Sequence, residues 1–399
     1  MNSADIRIIS FTLYYLPVEA RIPLRFGFET VTSIECLRVK AVVENGRGST
    51  NTGWGEIPLN MQWLWPGCCS AEKRLGYMKS AIAACADAIL AAPVTGHALD
   101  IGYHVIEYIL PDLLRQLNSE LAADESFPWN AALAAFSAFD IAIHDAYGKV
   151  NDRPVHTTYN GDFLSHDLCF YMKGSTADAE HLRDLYPADF LYKKPRTRLP
   201  VWHLVGGQDP LIPEEYSSST PNDGYPVFLQ DWILRDGITC LKIKLLGRDF
   251  QWDVRRIVQA GNIGLQSGVM WLSVDFNCTV KDTNYVIELL YKLLRDHPRI
   301  YAMLLYIEQP FPAEAGMLQR DVHGVSALKP LFLDEGADHW QSVQKAQALG
   351  WSGVALKTCK TYTGALLMAS LAQNLGMSLM VQDLTNPMLA ALSHAALAA

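Results

Sequence analysis

From Cys240 onward the sequence repeats one pattern, in which a short apolar run is followed by a helical segment and then by the next run. Successive runs are separated by roughly 20 to 35 residues, a spacing typical of strands that alternate with helices in a parallel sheet or barrel. A similar run at residues 168–172 precedes this series and is predicted to be the first strand. The seven runs are LCFYM, CLKIKLL, MWLSVDF, MLLYIEQ, PLFLDE, GVALK and SLMVQD. An α/β fold is therefore predicted for the C-terminal part of the chain.

Six of these predicted strands end in ionisable residues. The C-terminal ends of parallel strands in a barrel meet at one mouth, which is where active sites of this architecture lie. A single acidic residue at a strand end is more often a turn former or a helix cap, but caps alone would vary among Ser, Thr, Asn and Gly. The residues are Lys242 and Lys244, Asp275, Glu308, Asp334 with Glu335, Lys357, and Asp383. Their order indicates one catalytic site at the mouth.

Acidic residues from three adjacent predicted strands suit a hard divalent cation. The carboxylates of Asp275, Glu308 and either Asp334 or Glu335 match the oxygen ligands that Mg²⁺ prefers, with Mn²⁺ as an alternative ion. Such an ion offsets the cost of burying three anions and polarises a substrate carboxylate. It would stabilise the enediolate that forms when a proton α to that carboxylate is removed.

The predicted strand CLKIKLL carries two lysines on one face, because alternate side chains of a strand point the same way. Their mutual repulsion, and repulsion from a nearby dication, should lower their pKa values toward neutrality. Lys244 lies nearer the strand end and is predicted to be the base. Lys242 would lower the pKa of Lys244 or hold the substrate carboxylate, and Lys357 would reach the opposite face of the α-carbon. Two such bases permit racemisation or epimerisation, whereas one base permits cycloisomerisation or β-elimination.

The N-terminal part has a different pattern. Strand-like runs occupy residues 1 to about 60, and helical segments follow, so a compact α+β domain is predicted over residues 1–160. The barrel domain is predicted over residues 161–399. The segment at about 174–226 is rich in Pro, Gly and Ser and is predicted to be a long insertion after the first barrel strand.

Composition and charge exclude several classes of partner. The net charge of −9 and the lack of a basic run argue against a nucleic acid or an anionic membrane as partner. The N-terminus is not a signal peptide, and no stretch is apolar enough to span a bilayer. The eight cysteines are scattered without a CxxC pair, which is typical of a reducing cytoplasm. A cytoplasmic location and a small carboxylic acid substrate are expected.

At these motifs the sequence resembles the enolase superfamily, and most closely its muconate-lactonizing-enzyme branch, the mandelate racemase/muconate lactonizing enzyme family. The resemblance rests on LKIKLL, VDFN, IEQP, LDEG and ALKTCK in the family order. It implies a modified TIM barrel, (β/α)₇β, with an N-terminal α+β capping domain, and a homo-oligomer is expected. It also implies Mg²⁺ ligands at Asp275, Glu308 and Asp334, with Lys244 and Lys357 as the acid/base pair.

The same resemblance assigns RIPLRFGFET to a mobile substrate loop. Arg25 and Phe28 of that segment, together with Asn277 and Asp383, are candidate substrate-binding residues. The sequence ends at LSHAALAA, within what looks like the seventh helix. No eighth barrel strand is visible, so the barrel is expected to be truncated at its C-terminus and the chain to be a fragment.

The most direct functional expectation is an isomerase, either a racemase, an epimerase or a cycloisomerase. A carbon–oxygen lyase, namely a sugar-acid dehydratase of the same superfamily, is the alternative within the fold. A lysine in a barrel could also form a Schiff base, as in an aldolase. A catalytically inactive or truncated family member is the remaining alternative.

Overall fold

The computed structural model describes residues 2–67, 69–173, 179–216, 221–313 and 320–399. It contains an antiparallel sheet with helices in the N-terminal part and a seven-stranded parallel sheet with helices in the C-terminal part. This agrees with the predicted combination of an N-terminal α+β domain with a TIM-type barrel of parallel strands. None of the described helices is both long and apolar enough to cross a bilayer.

In the N-terminal part, strands and helices are largely separated along the chain, because three long strands come before the first helix. Its strands are β1 (Ile6–Phe26), β2 (Glu29–Asn45), β3 (Thr50–Pro58) and β4 (Thr95–Gly96). Its helices are α1 (Met61–Leu64), α2 (Ala71–Ala91), α3 (Ala98–His104), α4 (Leu110–Glu120) and α5 (Trp129–Val150), and a π-helical turn at Val105–Ile109 joins α3 to α4.

The C-terminal elements alternate between strand and helix. The strands are β5 (Trp202–Val205), β6 (Cys240–Lys244), β7 (Trp271–Asp275), β8 (Leu304–Glu308), β9 (Leu331–Leu333), β10 (Gly353–Leu356) and β11 (Ser378–Val381). The helices are α6 (Leu168–Tyr171), α7 (Leu229–Asp236), α8 (Phe250–Ser267), α9 (Thr283–Asp296), α10 (Pro298–Met303), α11 (His323–Ser326), α12 (Trp340–Ala348), α13 (Tyr362–Asn374) and α14 (Ala390–Ala398).

The N-terminal sheet has the strand order β3-β2-β1-β4 and packs against α5. Alternate residues of β2, from Leu37 through Val39 to Val43, are fully buried, as expected for a strand with one face on a core. Helix α5 is buried on nearly all sides because it also contacts the C-terminal part of the chain.

Two glycines of β3 allow the sheet to approach α5 closely. A Cβ on Gly55 would lie 2.0 Å from the carbonyl oxygen of Ala138, and one on Gly53 would lie 2.1 Å from that of Ala142. Because both contacts involve helix backbone, relief requires the whole helix to move.

We therefore expect Gly55→Ala to lower the free energy of unfolding by about 3 kcal/mol, the upper end of the usual cost of overpacking. Urea-induced unfolding measures the effect. Gly76→Ala is the matched control, since Gly76 lies within α2 with no atom near its Cβ position, and should stabilise by about 0.5–1 kcal/mol. An unchanged stability of Gly55→Ala would contradict the close approach.

The C-terminal sheet has the order β11-β10-β9-β8-β7-β6-β5, and all of its strand pairs are parallel. Its register aligns Lys244 with Asp275 and Asp275 with Glu308, so the ends of β6, β7 and β8 lie side by side. Within the described residues β5 and β11 form the two edges of the sheet.

The first strand of this sheet is not the predicted one. Residues 168–172 form α6 and the turn after it, where the Asp167 carboxylate caps the helix by accepting a hydrogen bond from Phe170 N. Leu168 and Tyr171 are buried together at helical spacing. The prediction was wrong because an apolar run of five residues fits either a strand or a helix.

The first strand is instead β5, which lies inside the segment predicted to be an insertion. Residues 174–226 therefore cannot be an insertion that follows the first strand. Residues 174–178 and 217–220 of that segment lie outside the described part of the chain. Strand β5 was not predicted because it has only four residues and the sequence around it is rich in Pro, Gly and Ser.

The predicted loop RIPLRFGFET is also different in the structure. It forms the ends of β1 and β2, with Leu24 opposite Val31 and Phe26 opposite Glu29. Gly27 makes the tight turn at φ +52°, a conformation that glycine adopts without steric cost. The segment is thus a β-hairpin rather than a loop.

Polar groups connect the two parts of the chain. On α5, Asp140 accepts hydrogen bonds from the backbone N and the hydroxyl of Thr363, at 2.7 and 2.8 Å. His144 contacts the same hydroxyl at 2.9 Å and the Tyr159 hydroxyl at 2.8 Å. Both side chains are therefore hydrogen-bonded at the junction. Helix α3 begins at Ala98, with His97 as its cap.

Candidate active site

Three buried carboxylates come together at the C-terminal ends of β7, β8 and β9. Asp275, Glu308 and Asp334 each offer one oxygen, and these oxygens lie within 4.8 Å of one another. All three residues are inaccessible to solvent. The adjacent strand register and the turn after β9 bring them together although they are far apart in the sequence.

Lys242 lies against two of these carboxylates. Its ammonium donates to Glu308 Oε1 at 2.6 Å and lies 3.0 Å from Asp275 Oδ2. It also donates to Gln382 Oε1 at 2.6 Å, and the amide of Gln382 donates back to Glu308 at 2.7 Å. Lys242 is therefore enclosed by partners that hold its ammonium against the cluster of three carboxylates.

Lys244 lies at the end of the same strand and faces the cavity. Its ammonium donates to Asp275 Oδ2 at 2.5 Å and to Asn277 Oδ1 at 2.9 Å. The ring of Phe26, from the β1–β2 hairpin, lies 5.5 Å from the same nitrogen. Both lysines of β6 are thus on one side of the strand, as the alternation predicted.

Lys357 and Lys360 contact the cluster of three carboxylates on the side of Asp334. Lys357 Nζ lies 3.0 Å from Asp334 Oδ2 and 4.9 Å from the centre of the Trp63 ring. Lys360 donates to the backbone carbonyl of Asp334 at 2.6 Å and is fully enclosed. Asp334 is held further by its own N–H, which donates to Gln309 Oε1 at 2.7 Å.

The expected fall in lysine pKa occurs at one of the two β6 lysines. Burial lowers the pKa of Lys244, and the charge of Lys242 adds to the effect although Asp275 opposes it. Burial alone would also lower the pKa of Lys242, but the carboxylates of Asp275 and Glu308 raise it well above its usual value. The prediction for Lys242 was therefore wrong, because it neglected the acids that enclose this side chain.

The carboxylates are perturbed in opposite directions. Burial, and then the nearby charge of Asp275, raises the pKa of Glu308 to about 8. Burial would raise the pKa of Asp275 too, but the ammonium groups of Lys242 and Lys244 hold it below its usual value. Three carboxylates this close repel one another, so a positive charge among them is favourable.

The donor set fits a hard divalent cation. It consists only of carboxylate oxygens, which are the ligands of Mg²⁺ and Mn²⁺. Asp334 Oδ2 is buried and accepts no hydrogen bond within the described part of the chain, and its charged neighbour there is the ammonium of Lys357 at 3.0 Å. Its neighbour Glu335 is directed elsewhere, since Glu335 Oε1 accepts hydrogen bonds from Trp63 and Asn277.

A cavity of about 1010 Å³ lies next to the three carboxylates and is lined by the lysines that contact them. Lys242, Lys244 and Lys357 face it from the sheet. Much of the rest of its wall is apolar or aromatic, with contributions from Leu24, Phe26, Trp63, Tyr192, Trp202 and Tyr306. It also extends between β5 and β11, the two edges of the sheet.

The candidate substrate-binding residues are placed differently from one another. Asn277 contacts Lys244 directly. Arg25 and Phe28 are not among the residues that line the cavity, and Phe28 packs against Arg248 instead. Asp383 lies at the cavity, but its carboxylate accepts hydrogen bonds from the backbone N–H groups of Thr385 and Asn386, as a turn former does.

The sequence analysis missed several residues of the site. Gln382 lies one residue before Asp383, and strand alternation could have indicated that only one of the two faces inward. Lys360 follows Lys357 by three residues in ALKTCK, so it is a second lysine near the same strand end and could have been considered as a site residue. Trp63 comes from the N-terminal part of the chain, and no motif in the sequence marked it.

Solved structures with the same architecture give an independent comparison. The L-Ala-D/L-Glu epimerase from Bacillus subtilis is 17% identical, with a TM-score of 0.65 over 98% of this chain and 87% of that one. A mandelate racemase/muconate lactonizing protein from Herpetosiphon aurantiacus is 19% identical, with a TM-score of 0.61 over 98% and 86%. An enolase from Bradyrhizobium, complexed with magnesium and mandelic acid, is 17% identical, with a TM-score of 0.62 over 98% and 84%.

No protein-family model matches the sequence, and a search of curated proteins found no match. The fold comparison nevertheless spans nearly the whole chain, including both the N-terminal domain and the parallel sheet. The chain has the fold of these solved structures, which include a mandelate racemase/muconate lactonizing protein, as the resemblance of its motifs implied.

Proposed function

We propose that the chain is an enzyme that removes a proton α to a substrate carboxylate, through an enediolate, with the help of a divalent cation. Mg²⁺ is the expected ion and Mn²⁺ the alternative. The observation that carries the proposal is the group of three buried carboxylates between lysines of two different strands. An isomerase, that is a racemase, an epimerase or a cycloisomerase, is the activity that this arrangement supports best.

The proposed ligands are Asp275, Glu308 and Asp334. When bound, the cation would supply the positive charge that polarises the substrate carboxylate and stabilises the enediolate. Gln382 and Gln309 support the ligands, because Gln382 donates to Glu308 and Gln309 accepts from the backbone of Asp334. These contacts hold the carboxylates in place before substrate binds.

The proposed bases are Lys244 and Lys357. Lys244 contacts Asp275 and Lys357 contacts Asp334, so the amines lie against different carboxylates of the group. Strands β6 and β10 are separated by three strands of the sheet. This separation supports proton transfer at opposite faces of one α-carbon. Lys242, enclosed by Glu308 and Gln382, is proposed to hold charge near the substrate carboxylate rather than to accept a proton.

The cavity wall favours a carboxylic acid with apolar or aromatic substituents. A polyhydroxylated acid needs a hydrogen-bonding partner for each hydroxyl, since unpaired polar groups are costly to bury. Leu24 and Phe26 offer no such partner, Trp202 offers only its indole N–H, and the Tyr306 hydroxyl is already engaged with Gln382. The lining therefore supports an isomerase of apolar carboxylic acids over a sugar-acid dehydratase.

Deuterium uptake in D₂O with Mg²⁺ tests the proposal. A panel of chiral carboxylic acids with apolar, aromatic and polyhydroxylated substituents is incubated with the protein, and α-deuterium is measured by mass spectrometry. We expect uptake into acids of the apolar or aromatic class and its loss with EDTA. Borohydride trapping of a substrate–lysine adduct, without sensitivity to EDTA, would instead indicate Schiff-base chemistry. Absence of uptake across the panel would contradict the proposal.

A further inference from the structure

A chain of hydrogen bonds connects the N-terminal domain to Lys244. We propose that Glu335 is a positioning residue, which fixes the side-chain amide of Asn277 so that its oxygen faces the ammonium of Lys244. This inference rests on the proposed function, because it concerns the residue assigned there as a base. It gives a role to a carboxylate that is not needed as a metal ligand.

Both ends of the Asn277 side chain are used. Its Oδ1 accepts a hydrogen bond from Lys244 Nζ at 2.9 Å, and its Nδ2 donates to Glu335 Oε1 at 3.0 Å. An amide rotated by half a turn would place its NH₂ group against the ammonium of Lys244 and its oxygen against the carboxylate. Both new contacts would be unfavourable, so Glu335 selects the orientation that lets Asn277 accept from Lys244.

The backbone of Asn277 is held as firmly as its side chain. Its N–H donates to Asp275 Oδ1 at 2.9 Å. Asn277 and Cys278 have φ values of 45° and 63°, in the left-handed region that few residues other than glycine adopt. Such conformations persist where the surrounding contacts determine them. The turn after β7 is therefore constrained to present the Asn277 amide between Lys244 and Glu335.

Glu335 is itself oriented by the N-terminal domain. The indole Nε1 of Trp63 donates to the same Oε1 at 3.0 Å, so one oxygen accepts two hydrogen bonds. The other oxygen, Oε2, is buried and accepts none within the described residues. The side chain at position 335 therefore supplies one hydrogen-bond acceptor oxygen, and the side-chain oxygen of a glutamine could supply it equally well.

Trp63 has a second contact, with the other proposed base. The face of its ring lies 4.9 Å from Lys357 Nζ, a cation–π distance. The hydrogen bonds from Glu335 through Asn277, by contrast, lead to Lys244, and among the described residues neither Glu335 nor Asn277 forms a hydrogen bond or ion pair with Lys357. Loss of the acceptor at position 335 should therefore affect proton transfer at Lys244 selectively, whereas a general loss of structure would affect both lysines.

The test compares Glu335→Leu, which removes the acceptor, with Glu335→Gln, which retains it. Both enantiomers of an acid that exchanges are incubated in D₂O, and Lys244→Ala identifies the enantiomer whose exchange depends on Lys244. For that enantiomer we expect Glu335→Leu to slow exchange by about 10- to 100-fold, as for a misplaced catalytic group. Exchange of the other enantiomer should change by less than about twofold, and Glu335→Gln should restore the Lys244-dependent rate.

Trp63→Phe removes the indole donor while it keeps an aromatic ring near Lys357. It should slow the Lys244-dependent exchange severalfold. Trp129→Phe is the matched control, because Trp129 also donates its indole N–H to the loop after β9, but to the backbone carbonyl of Asp338 at 3.3 Å. The exchange rates of both enantiomers with Trp129→Phe should equal those with the unmodified protein.

Equal slowing of both enantiomers by Glu335→Leu, or failure of Glu335→Gln to restore exchange, would overturn the positioning role. A crystal structure of metal-free Glu335→Leu supplies a readout that needs no activity. We expect the Asn277 amide to turn away from Lys244 there, and an unchanged contact would also overturn the inference. Absence of exchange in the unmodified protein would instead contradict the proposed function itself.

Discussion

Lys244→Ala is expected to slow α-deuterium uptake from D₂O by about 10²- to 10⁴-fold, the usual contribution of a general base. Lys244 faces the cavity, contacts a proposed metal ligand, and is the β6 lysine whose pKa is lowered by burial. An amine that gives up its proton more easily is better suited to remove one from substrate. Lys242, whose pKa is raised by its carboxylate partners, is not.

Two measurements show whether the Lys244→Ala effect is chemical. Metal affinity by titration calorimetry should be retained, since the three carboxylates remain. Lys357→Ala should slow exchange of the opposite enantiomer, because that lysine belongs to the other side of the site. Uptake of deuterium that survives Lys244→Ala would remove this residue from the role of base.

Asp275→Asn is expected to weaken Mg²⁺ binding by more than about 100-fold, because even loss of an outer hydrogen-bond partner costs 10- to 100-fold in metal affinity. Asp275 is the carboxylate that contacts both β6 lysines, and it is fully buried. The asparagine is nearly isosteric, so the fold should be retained, which thermal unfolding of the metal-free protein can verify. Calorimetry measures the affinity.

Glu335→Gln is the matched control for this substitution. Glu335 is also an acid next to a proposed ligand and is half-buried, but its acceptor oxygen is occupied by Trp63 and Asn277. Its replacement by glutamine should reduce metal affinity far less than Asp275→Asn does, because it removes a neighbouring charge but no proposed ligand. Loss of affinity in Glu335→Gln with retention in Asp275→Asn would move a ligand from one position to the other.

The residues of the carboxylate cluster could be predicted because an ionisable residue recurs at the end of successive predicted strands. Lys244, Asp275 and Glu308 each end a buried apolar run, and parallel pairing aligns those ends whatever the helices between them do. Asp334 could be chosen over Glu335 only through the family resemblance, since alternation alone does not say which of two adjacent residues faces inward.

What the sequence could not predict depends on contacts between distant segments. Strand β5 has four residues within a polar stretch, so neither its length nor its surroundings distinguish it from a loop. The tip of the hairpin formed by β1 and β2, RIPLRFGFET, was interpreted as a loop because its Arg residues interrupt the apolar alternation. Trp63 joins the site only because the N-terminal domain packs over the end of the sheet.

The pKa pattern shows the same limit. Like charges on one strand predicted lower lysine pKa values, but the outcome depends on which acids each ammonium contacts. Lys242 contacts two carboxylates and a glutamine, whereas Lys244 contacts one carboxylate and an asparagine. Neighbouring strands set those partners, so the two lysines differ although they are two residues apart.

The most direct test of the account is a crystal of the protein soaked in Mn²⁺, with anomalous scattering used to locate the ion. The account predicts a single strong anomalous peak bounded by oxygens of Asp275, Glu308 and Asp334, with Lys244 and Lys357 on different sides of it. Those carboxylates bound only to lysines, with no peak among them at saturating Mn²⁺, would contradict it.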